Sequence, residues 1–254
     1  MDLIELQRDF IGRVETASGK PVIMQCDPKF AGHATIRIAR DDQPAHLLLH
    51  KQEHDAVLPY LVAFQSLLAL RTIEADKESR FDLASKPNMA GDVLKLTTEH
   101  AKKNPSIPEH AVPQLATQFG NGLGWQLRSF PIAIRVDKQI HDNHPELRTL
   151  QRKNIEQQLQ ESMEALSPSI KKIAPKEIID ANASMSSAFT QFWADLWNEP
   201  ALSTPFTAAG YKPIGEKLLA LNASIADDPN KDRELIESWA KAVGIDRWFQ
   251  TVAR

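Results

Sequence analysis

The longest apolar run in the chain lies between Asp55 and Asp76, where from Ala56 to Leu70 the only polar side chains besides the Tyr60 hydroxyl are Gln65 and Ser66. A helix that is apolar on nearly every side is one surrounded by protein, so this segment is expected to be a central buried helix. Asp55 is placed to cap it, and Pro59 falls in the first turn, where a missing N–H costs little. At roughly 15 apolar-dominated residues the run falls short of the ~20 that a bilayer-spanning helix needs. No membrane association is expected.

Ahead of this helix, residues 2–18 carry Leu3, Ile4, Leu6, Phe10, Ile11 and Val14 at spacings of three and four, which predicts an amphipathic helix ended by Gly19. The segments 21–25, 34–40 and 46–51 are each bounded by Gly, Pro or Asp and predict a small sheet of three strands. Beyond the buried helix, residues 78–88 read as connector. Helical spacing then predicts segments at about 92–103, 109–125, 131–145, 146–166, 176–198, 214–225 and 232–251, with Gly120, Gly122 and Gly124 weakening the second. The expected class is α+β and predominantly helical: a three-stranded N-terminal sheet beside a buried central helix, then a helical C-terminal half. The expected division is a domain over 1–165 and a helical extension over 166–254 packed on it, or one continuous domain.

Hydrophobic residues make up 42% of the 254 and charged residues 25%, so a folded core is expected and disorder is not. A net charge of -3 gives no global attraction to nucleic acid or to anionic lipid. The single cysteine, Cys26, excludes an internal disulfide framework and a Cys-rich zinc site, which fits a reducing compartment. The opening MDLIELQRDF lacks the basic and long apolar regions of a signal peptide, so a cytoplasmic location is expected.

Strands, a loop and a buried helix bearing Leu61-Val62-Ala63 and Ala69-Leu70-Arg71 form the layout in which zincin metallopeptidases carry H-E-x-x-H. On these residues the chain resembles the ImmA/IrrE-type zinc metallopeptidases, with the five motif positions occupied by Phe64, Gln65, Ser66, Leu67 and Leu68. Such a zinc site needs imidazoles at i and i+4, a third ligand and a carboxylate that takes a proton from bound water. Phe64 and Leu68 present hydrocarbon at the two imidazole positions, and the Gln65 amide has no basicity. The resemblance extends to residues 131–137, where it implies Asp137 as a third ligand and Ala133 as a lost acid. On the simpler reading, Phe64, Leu67 and Leu68 are plain core while Gln65 and Ser66 bond neighbouring backbone.

Three other constellations carry candidate chemistry. Asp137, His141 and His144 stand at i, i+4 and i+7, one helical face able to chelate a divalent ion; otherwise they mark a solvated helix end with histidines against the C-terminal dipole. His46, His50 and His54 form H-x3-H-x3-H, but Leu47, Leu48 and Leu49 favour a half-buried strand over a ligand cradle. Trp193, Trp197, Trp239 and Trp248 are core, or else partner-binding candidates. Neither a nucleophile elbow nor a phosphate loop is present, since Gly120–Gly124 is followed by no Lys-Ser or Lys-Thr.

Together these features predict a catalytically inactive metallopeptidase-like protein that serves as a binding or scaffolding component of a bacterial multi-protein system, with a protein partner and no cofactor. The alternatives are a metal-dependent hydrolase using Asp137, His141 and His144, and a nucleic-acid-associated accessory protein, against which the charge argues.

Overall fold

The computed structural model describes residues 2–30 and 32–254. In chain order the elements are α1 (Leu3–Ser18), β1 (Val22–Cys26), β2 (Ala34–Arg37), β3 (His46–His50), α2 (Leu58–Glu74), β4 (Phe81–Ser85), α3 (Met89–Lys103), α4 (Val112–Asn143), α5 (Arg148–Glu164), α6 (Pro168–Ile173), α7 (Lys176–Leu196), α8 (Thr204–Ala208), α9 (Lys212–Ser224), α10 (Asp232–Ala242) and β5 (Phe249–Ala253). The class is the expected one: mainly helical, with a three-stranded sheet near the N-terminus and a helical C-terminal half.

Contacts divide the chain into two units by a different course from the single boundary expected near residue 165. One unit comprises Met1–Asp76 with Arg135–Gln157; the other comprises Lys77–Ile134 with Gln158–Arg254. The long helix α4 contributes to both, as does α5.

In the first unit, Asp2 and Glu5 form a capping box at the start of α1, and Gly19 ends the helix in the left-handed region at φ 69. Leu6, Phe10 and Val14 recur every four residues and are its buried stripe, which packs against α2. Ile4, expected inside, lies off that stripe and is exposed. The sheet order is β1-β3-β2, with β1 parallel and β2 antiparallel to the central β3.

Helix α2 is the buried helix expected, and it packs on β2 and β3 as well as α1. Asp55 does not cap it: this residue lies in a 3-10 turn, Gln52–Val57, and its carboxylate sits 3.3 Å from His50 Nδ1. That turn lengthens the apolar segment to 23 residues, Gln52–Glu74, long and apolar enough to cross a membrane by length and composition. Yet 56% of its apolar window is buried inside the protein, as in a core helix.

In the second unit, β4 and β5 form an antiparallel pair in which Phe81 faces Ala253 and Ser85 faces Phe249. The connector expected at 78–88 therefore contains a strand, and the helix expected over 232–251 stops at Ala242. Gly244, at φ 75, turns the chain out of that helix and towards β5.

The two helices expected on either side of Pro131 are one, α4, which carries the proline internally. Two of its glycines serve close packing: a methyl group at Gly120 would meet Met89 Sδ at 2.7 Å, and one at Gly124 would meet Phe249 Cε1 at 2.8 Å, whereas Gly122 faces open space. Asn222 Nδ2 donates to Pro131 O at 2.8 Å, and its Oδ1 accepts from Trp239 Nε1 at 2.8 Å, joining α9 to α4 and α10. The small residues of α7 let α9 approach, so that a methyl at Gly215 would fall 2.7 Å from Ser187 Oγ.

Candidate functional site

Helix α2 holds the five motif positions with their side chains sorted by the helical period. Gln65, Ser66 and Leu67 are buried, whereas Phe64 and Leu68, one turn apart on a common stripe, are half-buried. Both are hydrocarbon and coordinate nothing. Tyr60 continues the stripe one turn upstream, its ring centroid 6.1 Å from that of Phe64.

Gln65 faces the sheet. Its Oε1 accepts from Ile36 N at 3.0 Å and its Nε2 donates to Ala34 O at 3.0 Å, so one amide closes the outer edge of β2 as a neighbouring strand would. The Ser66 hydroxyl, expected to bond backbone, is instead buried without a hydrogen-bond partner. Gln65→Glu is expected to lower stability at pH 7 by about 1–3 kcal/mol, because the carboxylate replaces a donor with an acceptor facing the Ala34 carbonyl. The urea midpoint measures it, and partial recovery on acidification is expected as the acid regains a proton to donate. An unchanged midpoint at pH 7 would mean that the amide does not hold this edge.

Asp137 does reach α2, but one turn away from the motif positions. Its Oδ1 accepts from the Tyr60 hydroxyl at 2.8 Å and from Gln151 Nε2 at 3.1 Å, while Gln151 Nε2 also lies 2.9 Å from Asp137 O. Burial pushes the Asp137 carboxyl up to about 7, against the two hydrogen bonds, which favour its charged form. Burial also pushes the Tyr60 hydroxyl well above the ordinary tyrosine range, reinforced by the neighbouring Asp137 charge. The result is a buried acid near its half-titration point at neutral pH, held by a tyrosine and a glutamine.

The rest of the proposed chelate disperses. The His144 ring packs edge-on against Phe10 at 4.9 Å, with its Nδ1 3.7 Å from Glu146 Oε1. His141 is half-buried, and its carbonyl accepts from Arg148 Nε at 2.7 Å. Among the described residues no group of three or more His, Cys, Asp or Glu side chains is placed to hold a metal ion.

The other histidine series is likewise used residue by residue. His46 Nδ1 accepts from Ala39 N at 2.9 Å, which leaves Nε2 to carry the proton towards Ser18 Oγ at 2.8 Å. His54 stacks on His33 with ring centroids 4.2 Å apart, and His33 Nδ1 lies 2.7 Å from Asn154 Oδ1. A shallow groove of about 440 Å³ opens between α1 and α2, lined by Asp9, Arg13, Leu70 and Glu74 among others; no motif-position side chain lines it.

The tryptophans weighed as partner-binding candidates are placed mostly inside. Trp193 and Trp239 are 0% exposed and Trp248 is 1% exposed, so none of the three presents a surface. Trp197 is half-buried, its ring 4.7 Å from that of Trp193. Trp125, singled out by nothing in the sequence, is the most exposed large apolar side chain described, at 61%.

Sequence reasoning missed Gln151 and Asn154, buried polar residues on the inner stripe of α5. The available signal was that they share helical spacing with Leu147 and Ile155. Comparison with family models, with curated proteins and with solved structures returns no match for this chain.

Proposed function

We propose that this chain is a catalytically inactive, metallopeptidase-like protein that works in the cytoplasm as a binding or scaffolding component, with a protein as its partner and no cofactor. The observation that carries this reading is the engagement of Gln65. Where the resemblance places a catalytic carboxylate, the chain has an amide with no basicity, both ends of which are bonded to the β2 backbone. The hydrocarbon of Phe64 and Leu68 and the diversion of Asp137 to Tyr60 and Gln151 support the same reading.

Elemental analysis of the purified protein, combined with cleavage assays on casein and unstructured peptides with and without added zinc, tests it. Zinc far below one equivalent and no cleavage above buffer are expected. Stoichiometric zinc together with cleavage that is lost in Gln65→Ala would overturn the reading.

A further inference from the structure

The two edges of the N-terminal sheet are treated differently. Gln65 closes β2, but among the described residues β1 is closed only at its start, where Val22 N donates to Glu15 Oε1 at 2.8 Å. The hydrogen bonds His46 N to Pro21 O and Asp27 N to His50 O show which residues of β1 face β3. In a parallel ladder these alternate, so residues 21, 23, 25 and 27 point inward and 22, 24, 26 and 28 point outward. Val22 has its N–H taken by Glu15, and Pro28 has none to offer. Only Met24 and Cys26 thus present both an N–H and a C=O at the outer edge.

We infer that a second copy of this chain docks along the outer edge of β1, antiparallel, with Met24 of each copy paired to Cys26 of the other. The two donors and two acceptors of one copy meet the two acceptors and two donors of its partner, giving four hydrogen bonds about a two-fold axis at Gln25. Such a contact is self-complementary and closes on itself, as a stable two-fold interface requires. Pairing ends where Glu15 and Pro28 stop it, so no group that is already satisfied has to be released.

The side chains agree with that occupant. Val22–Cys26 carries no charge and no proline, the devices that keep an edge strand single. Two identical uncharged edges can therefore meet without like-charge repulsion. Ile23 on β1 is 54% exposed, and Ile4, one helical turn before the Gln7 whose amide reaches Met24 Sδ at 3.5 Å, is 57% exposed. Both would lose water-exposed area when two sheets of three strands join into one of six. The inference stands apart from the reading of Gln65 and holds whether or not the chain ever binds zinc.

Sedimentation equilibrium on the full chain from about 1 to 100 µM tests it, with an expected mass of twice 28.4 kDa at the upper end. Met24→Pro removes an N–H that makes no bond within the sheet, and Ile23→Asp places a carboxylate across from Asp27 of the other copy, a like-charge pair in this register; each is expected to weaken association at least tenfold. Register is read separately. Residues that face each other across an antiparallel pair without hydrogen-bonding lie about 4.5 Å apart at Cα, within disulfide reach. Gln25→Cys in a Cys26→Ser background is therefore expected to form a covalent dimer on oxidation, whereas Ile23→Cys in the same background is not. A monomer at every concentration, or a dimer that both Met24→Pro and Ile23→Asp leave intact, overturns the inference. If Met24→Pro fails to fold, Ile23→Asp and the disulfide pair still decide it.

Discussion

Replacing Asp137 by asparagine is expected to flatten the dependence of stability on pH and to make the protein more stable than the wild type at pH 8. Burial raises the Asp137 carboxyl from 3.8 to about 7 in the folded state. Between those values the folded chain keeps a proton that the unfolded chain releases, so stability falls as pH rises through this window and levels off above it. The shift of roughly 3 units corresponds to a loss on the order of 4 kcal/mol between pH 4 and 7. Asparagine retains an oxygen to accept from Tyr60 and Gln151 and has no proton to lose. Urea denaturation of both proteins from pH 4 to pH 8 measures the difference, in which every other titrating group cancels. Parallel curves would show that the carboxyl is not held neutral by its burial.

Trp239→Ala is expected to destabilise the second unit by about 3–5 kcal/mol, the range for truncating a fully buried aromatic side chain. Part of that loss is polar. The indole N–H is bonded to Asn222 Oδ1, and Asn222 in turn donates to the carbonyl of Pro131 inside α4. Removing the ring leaves a cavity and strips Asn222 of one partner at once. Trp239→Phe, which keeps most of the volume but not the donor, should fall between. Trp125→Ala, at an exposed position, should stay within about 0.5 kcal/mol of the wild type. A melting temperature unchanged by Trp239→Ala would restore this residue as a surface anchor for a partner.

The contrast between these two tryptophans shows what could be read from the chain in advance. A large apolar residue at helical spacing has the same signature whether it fills a core or stands outside it, so Trp193, Trp239 and Trp248 read mainly as core, as they are, but nothing set the exposed Trp125 apart from them. Helices α1, α2, α5, α7 and α9 were legible because a sustained apolar period and, at α1, a capping box and a terminal glycine point the same way. The pairing of β4 with β5 was not, because its strands stand at opposite ends of the second unit's sequence. Phe249 also continues the spacing of α10, although Gly244 marks the break. Pro131 suggested a helix start by its missing N–H, and nothing local showed that α4 runs through it. Of the candidate site, the absence of a metal-binding group at Phe64 and Leu68 and of a carboxylate at Gln65 was plain. The bonds that Gln65 and Asp137 make instead depend on Ala34, Ile36, Tyr60 and Gln151, brought together only by folding.

The interleaving of the two units bears on how the protein is made. A nascent chain released only through Asp76 carries α1, the sheet and α2, but the acceptor for the Tyr60 hydroxyl has not yet been synthesised. At translation rates of roughly 5–20 residues per second, about 4–16 s pass before Gln157 emerges and the first unit can close. During that interval the most apolar helix of the molecule has α1 and the sheet to pack on, while its Tyr60 hydroxyl waits in water for a partner still to be made.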